Sequence, residues 1–250
     1  MASWIFLRGL SRESGHWGDF VDTFQTRFSS EQVVLLDLPG NGVLHYQGSP
    51  THVHAMVDAY RAQLAQRGLT PPYHLLALSL GGMVAVAWAQ AHPCEVAGQV
   101  LINTSMRPFS PFYQRLRPAN YLTLLRLALP GCNDAVLERT VLNLTSACAN
   151  PIVLPDWLAL REKHPVSTRN TLAQLLAAAR FQADRRAPSA ATLVLASTHD
   201  QLVSVQCSLA LAAAWHSRVC VHPWAGHDLP LDDGAWVTKQ IAQWQVTKLS

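Results

Sequence analysis

The sequence predicts an α/β protein built on a parallel sheet, and three observations carry this. Short apolar runs alternate with helical patterns, each run is followed by turn residues, and the runs are nearly continuous in apolar residues. Alternation of strand and helix marks a parallel sheet, and unbroken apolar runs mark strands covered on both faces. The runs are residues 4–7, 33–36, 74–78, 99–102, 192–196 and 218–221. Helices are expected over 17–28, 51–66, 81–92, 204–215 and 235–244. The second follows Ser49-Pro50, a capping serine ahead of a proline suited to a first helical turn.

From Thr104 to Pro188 the rhythm breaks. Four helix-like segments, 112–129, 134–146, 155–164 and 168–182, punctuated by Pro118 and Pro130, appear with no strand between them. The expected organisation is a core over 1–103 and 189–250, with a helical lid, 104–188, inserted before the last two strands.

A chain of 250 residues buries roughly 70–75% of its unfolded surface, enough for one stable domain. With 49% hydrophobic and 14% charged residues it has the balance of a globular enzyme and not of a disordered chain. A net charge of +3 with no Lys/Arg-dense run argues against a nucleic-acid partner. Cys94, Cys132, Cys148, Cys207 and Cys220 are odd in number and lack CxxC spacing, which fits reduced, mostly buried thiols in a reducing compartment. Four apolar residues before Arg8 are too few for a signal-peptide core, and no run approaches a membrane span of about 20 residues. The expectation is a soluble cytoplasmic monomer or dimer with no membrane span.

The most informative segment runs from His74 through Leu78-Ser79-Leu80-Gly81-Gly82 to Ala85. A buried strand ends, one serine stands between small residues, and an apolar helix begins at once. So tight a turn nearly brings together the side chains two before and two after the serine. Ala77 and Gly81 are therefore the small residues it requires, and the helix N-terminus is aimed at the serine oxygen. A helix-capping serine in an ordinary strand-to-helix turn is the plainer alternative.

This segment resembles the nucleophile elbow of the α/β-hydrolases. Arg8-Gly9-Leu10 is similar to that family's His-Gly loop after the first strand, and Asp37-Leu38-Pro39-Gly40-Asn41-Gly42 resembles its Asp-x-Pro-Gly-x-Gly turn. The likeness covers nearly the whole core. It implies an α/β-hydrolase fold, here with a six-stranded, fully parallel sheet, because the two strands that commonly open the family core have no room before Trp4. It also implies a triad in the order serine, acid, histidine. The acid falls at Asp200, in Ala196-Ser197-Thr198-His199-Asp200-Gln201-Leu202, and the histidine at His227, in Trp224-Ala225-Gly226-His227-Asp228.

In such a triad His227 takes the proton of Ser79 during attack and returns it to the leaving group, while Asp200 fixes the imidazole tautomer. Taken singly, Asp200 is an ordinary turn residue and His227 one of 11 histidines. Their joint placement after three strands is what makes the pattern. Asp228, Asp232 and Asp233 are expected to cap or charge the last helix. Asn103, at the family's alternative acid position, cannot supply an anion.

The resemblance further implies an oxyanion hole from the backbone N–H groups of Leu10 and Leu80, with Gly9 shaping the loop. Arg8 departs from the family's histidine. It either braces the loop or holds an anionic group of the substrate.

Between Arg107 and Arg186 stand eleven basic and five acidic residues, against eight and eleven elsewhere, so the insertion is net +6 and the remainder −3. That asymmetry fits an acidic partner, such as a carboxylate-bearing or acyl-carrier-protein-linked acyl group. Solvated helix faces explain it equally. Arg115, Arg117 and Arg126 alternate with Phe112, Tyr113, Tyr121 and Leu124 as in any amphipathic helix. Arg115 and Tyr121 are the candidate substrate contacts.

In layout the chain looks most like small carboxylesterases of the pimeloyl-carrier-protein methyl ester esterase type, implying cleavage of a carboxylic ester or thioester. A serine-triad lyase or C–C bond hydrolase and a catalytically inactive binding protein are the alternatives. No cofactor and no metal is expected. His52-x-His54 lacks a convergent ligand, and neither GxxxxGK nor GxGxxG occurs.

Overall fold

The computed structural model describes residues 3–127 and 133–249. β1 (Ser3–Leu7), β2 (Gln32–Leu35), β3 (Tyr73–Leu78), β4 (Val96–Ile102), β5 (Ala191–Ser197) and β6 (Arg218–His222) form one six-stranded sheet. The spatial order is β2-β1-β3-β4-β5-β6, and every neighbouring pair is parallel. This is the expected fully parallel, six-stranded sheet.

The apolar continuity of the runs has the predicted cause. Alternate side chains leave a strand on opposite faces, and here both faces are covered. Ile5, Leu7, Leu75, Ala77 and Leu101 pack with α2 (Val53–Gln66), α3 (Leu80–Ala91) and α9 (Val205–Trp215). Trp4, Phe6, Leu76, Leu78, Val100, Leu193 and Leu195 pack with α1 (Phe20–Arg27) and α10 (Leu229–Leu249). α3 is buried from Leu80 to Ala89, as expected of a helix apolar on all sides at the centre of a layer.

Local chemistry corrects several expected boundaries. The helix expected over 17–28 is interrupted at Gly18, whose φ of 48° ends a 3₁₀ turn (Ser14–Trp17) ahead of α1. α2 begins at Val53 with His52 at the cap, and Ser49 does not cap it. The Ser49 hydroxyl instead donates to the Pro39 carbonyl at 2.7 Å and accepts from Gln174 at 2.9 Å, so tertiary hydrogen bonds prevail over the local cap. α10 starts earlier than expected and kinks at Asp233, whose Oδ1 accepts from the Trp236 N–H at 2.9 Å and so caps the second half. Among the described thiols, Cys94 lies exposed in a 3₁₀ turn (Pro93–Glu95) and Cys148 exposed in an irregular segment, Cys220 is partly buried, and Cys207 is buried within α9, so they are not mostly buried.

Between β4 and β5 the described residues form α4 (Phe112–Arg115), α5 (Tyr121–Leu127), α6 (Asp134–Thr145), α7 (Leu154–Lys163) and α8 (Thr168–Arg180), and no strand. The helix expected over 112–129 is two helices, divided by a 3₁₀ turn that opens at Pro118, because proline cannot donate within a helix. Residues 128–129, Pro130 and Cys132 lie outside the described residues. The neck of the insertion is closed by a bridge between Arg107 and Gln182, with the Ala183 N–H donating to the Arg107 carbonyl at 2.8 Å. Farther out, buried Glu138 accepts from Arg12 at 2.6 Å, Glu13 meets His164 at 2.7 Å, and Gln174 donates to Asn41 at 2.7 Å. Polar contacts thus dock α6, α7 and α8 onto the loops after β1 and β2.

Candidate active site

The strand order reverses between β1 and β3, and such a switch point is the usual ligand position in open α/β sheets. Both the Arg8-Gly9-Leu10 loop and Ser79 stand there. Ser79 is half-buried and adopts φ 57° and ψ −116°, a conformation that non-glycine residues rarely take. Its N–H donates to the Ile102 carbonyl at 2.9 Å, and its own carbonyl accepts from the Thr104 hydroxyl at 2.8 Å and the Gly82 N–H at 2.9 Å. The elbow is therefore held on both sides by β4 and its own helix.

Crowding at residue 81 comes from the end of β1 and the residue after it. A Cβ on Gly81 would lie 2.3 Å from the Leu7 carbonyl oxygen and 2.8 Å from that of Arg8. One on Gly9 would meet the Ser79 Cβ at 3.2 Å, and Ala77 is fully buried between Leu7 and Leu101 in the register. Leu80 is the first residue of α3, so its N–H belongs to the first turn, which a helix leaves without internal partners. Leu10 follows Gly9 and is partly buried.

Asp200 stands in the turn after β5 and is 2% exposed; His227 stands beyond β6 and is 5% exposed. The His227 Nδ1 donates to the Asp200 Oδ2 at 2.7 Å, while the Asp200 Oδ1 accepts from the N–H groups of Leu202 and Val203 at 2.8 and 2.9 Å. One carboxylate oxygen is thus fixed by its own turn and the other is presented to the imidazole. Burial favours the neutral ring, but the charge and hydrogen bond of Asp200, with the charge of Asp228 beside it, outweigh this and hold the His227 pKa above its usual 6.5.

The loop carrying His227 is braced from several elements. Asn103, buried and at φ 45° directly after β4, donates through Nδ2 to the carbonyls of Gly226 at 3.1 Å and His227 at 2.9 Å. The same side chain joins β5 through Ser197, donating to its hydroxyl at 3.0 Å and accepting from its N–H at 2.9 Å. Asp232 accepts from the Gly226 N–H at 2.6 Å, and the Asp228 N–H donates to the Thr145 carbonyl at 2.7 Å. Asn103 was legible only as a residue that cannot be the acid. An amide at a strand end was its only signal, and its role depends on a loop 123 residues away.

Arg8 is not available to a substrate anion: its guanidinium is 3% exposed and already meets the Asp228 carboxylate. Asp228 consequently does more than charge the start of α10. Arg115 donates to the Ala178 carbonyl at 2.6 Å, tying α4 to α8, and burial together with nearby Arg107 lowers its pKa. Tyr121 is 39% exposed, next to Asn120, whose amide donates to the Gln201 carbonyl in the turn that carries Asp200 at 2.6 Å. Among the described residues, no group of three or more His, Cys, Asp or Glu side chains is arranged to hold a metal ion. No helix of those residues is long and apolar enough to cross a membrane.

The chain is 33% identical over 103 residues to the pimeloyl-[acyl-carrier protein] methyl ester esterase of Chromobacterium violaceum, a match covering 41% of this chain and 37% of that protein. A second curated match, an uncharacterized protein of Schizosaccharomyces pombe, is 35% identical over 72 residues, and only 14% of its length is spanned. In fold the chain is similar to a thermophilic esterase from Thermogutta terrifontis, with a TM-score of 0.76 at 23% identity over 99% of this chain and 90% of that one. It is likewise similar to an esterase from Rhodococcus sp. ECU1013, with a TM-score of 0.77 at 18% identity over 97% of this chain and 90% of that one. The model of the alpha/beta hydrolase family matches residues 4–240, nearly the whole chain, so the chain belongs to the alpha/beta hydrolase family.

Proposed function

We propose that the enzyme is a serine esterase that cleaves a carboxylic ester or thioester through an acyl-enzyme. Ser79 is the nucleophile, His227 the base and Asp200 the acid that orients it. The observation that carries this is the buried 2.7 Å contact of Asp200 with the His227 Nδ1, at the same sheet edge as a serine in a strained elbow. With Nδ1 committed to Asp200, Nε2 is the ring's basic nitrogen. It removes the Ser79 proton as the hydroxyl adds to the carbonyl carbon, then delivers that proton to the departing alcohol or thiol. Water, deprotonated the same way, releases the acid and regenerates the serine. The Leu10 and Leu80 N–H groups receive the negative oxygen of each tetrahedral intermediate, each donor contributing roughly 3–4 kcal/mol.

The segment 104–188 acts as the lid. Its support is contact with both sides of the site: the Arg117 N–H meets the Leu202 carbonyl at 2.9 Å in the acid turn, and Gly226 packs against residues 145–147 in the base loop. Its net charge of +6 and the carrier-linked substrate named for the Chromobacterium violaceum relative favour an acyl group that bears a carboxylate or a carrier protein.

Turnover of p-nitrophenyl esters, with and without a terminal carboxylate, is the test, run beside a panel of carbon–carbon substrates. Esters should be hydrolysed, and Ser79→Ala should lower kcat by about 10⁴–10⁶. Cleavage of the carbon–carbon panel alone would replace this reading by the lyase or C–C hydrolase one.

A further inference from the structure

Arg8 is the residue at which this chain leaves its family's pattern, and its surroundings are specific. Its Nη1 and Nη2 donate to the two oxygens of Asp228 at 3.2 and 2.5 Å, a two-pronged match that a lysine cannot reproduce. The two side chains are 3% and 4% exposed, and the guanidinium lies over the Trp17 ring, 4.7 Å from its centre. Each partner is rooted in a different half of the site. The backbone of Arg8 abuts Gly81 in the elbow helix, and the next residue, Gly9, abuts Ser79. Asp228 directly follows His227. We propose that Arg8 and Asp228 form one charge-paired positioning unit, which locks the oxyanion loop to the base loop and balances the electric field at His227. This rests on the reading of His227 as the base.

The charges around the imidazole make the balance concrete. Burial opposes its protonation, Asp200 and then Asp228 favour it, and Arg8 opposes it. Deleting the Arg8 charge leaves two carboxylates acting on the ring, which then keeps its proton to higher pH. Deleting the Asp228 charge leaves a buried cation that drives the proton away. Arg12, which also feels Arg8 and Asp228, is itself met by Glu138 at 2.6 Å and His16 at 2.8 Å. Burial and the two arginines keep His16 well below the usual imidazole range, so it adds no charge near neutrality.

The test is the pH dependence of kcat/KM for an ester in the wild type, Arg8→Gln, Asp228→Asn and the double variant. Every protein is also treated with a fluorophosphonate and the labelled residue mapped. The activity-limiting acid limb should move to higher pH in Arg8→Gln and to lower pH in Asp228→Asn. On that limb the two should differ by roughly tenfold. The double variant buries no lone charge and should return close to the wild-type limb. Where a single variant fails to fold, Arg8→Lys serves: charge kept and fork lost, its limb should stay in place while kcat falls about tenfold. Limbs that move the same way, or not at all, in proteins labelled at Ser79 would overturn the proposal alone, as would wild-type kcat in Arg8→Lys. An unlabelled Ser79 in the wild type would overturn the serine–histidine reading beneath it as well.

Discussion

A methyl group on residue 81 would sit 2.3 Å from the Leu7 carbonyl oxygen, closer than non-bonded atoms approach, and the obstacle is backbone that cannot swing aside. Gly81→Ala must therefore push the elbow away from β1. We expect a loss of about 1–3 kcal/mol, read as a fall in Tm of roughly 4–10 °C, together with reduced ester turnover. An unchanged melting curve would show that the elbow has slack. Small residues at 77 and 81 were expected from the tightness of the turn, whereas the carbonyls of Leu7 and Arg8 that crowd residue 81 were not visible in the sequence. The partner of Arg8 was not visible. Asp228 is 220 residues away, and nothing in the local chemistry of an arginine after a strand identifies a carboxylate brought to it by β6 and α10.

Among the elements, the strands were the most legible, since burial on both faces leaves near-continuous apolar runs, and all six observed strands overlap those runs. Helix boundaries were less so. Ser49-Pro50 has the form of a helix start, yet the Ser49 hydroxyl is drawn to Pro39 and Gln174, and α2 starts at Val53. Asn103 links three of these elements, connecting the end of β4 to β5 and to the loop that carries His227. Asn103→Ala leaves the carbonyls of Gly226 and His227 without these donors and frees the imidazole to wander. Stability should fall by about 2–3 kcal/mol in a denaturant melt. Where folding survives, kcat should fall roughly tenfold to a hundredfold with KM less affected, as expected when a base loses its position. A kcat equal to wild type would mean that the loop is held adequately by Asp232 and Thr145.

Over the whole molecule, the fold concentrates its unusual features at one edge. The switch in strand order, the positive-φ residues Ser11, Ser79 and Asn103, and the buried pairs Asp200–His227 and Arg8–Asp228 all stand around the carboxyl ends of the strands. At the opposite ends of the strands, His216 ahead of β6 also takes a positive φ. The insertion between β4 and β5 reaches the same edge through Arg117 and Asn120, which meet the turn carrying Asp200, and through the segment after α6, which meets Asp232. The triad reading assigns all these features to one hydroxyl, whose reactivity depends on a distant imidazole. Mass-spectrometric mapping of a fluorophosphonate adduct tests that assignment most directly. The account predicts one adduct, on Ser79, in the folded wild-type protein, and strongly slowed labelling in His227→Ala. An adduct on another serine, or undiminished labelling of Ser79 in His227→Ala, would contradict it.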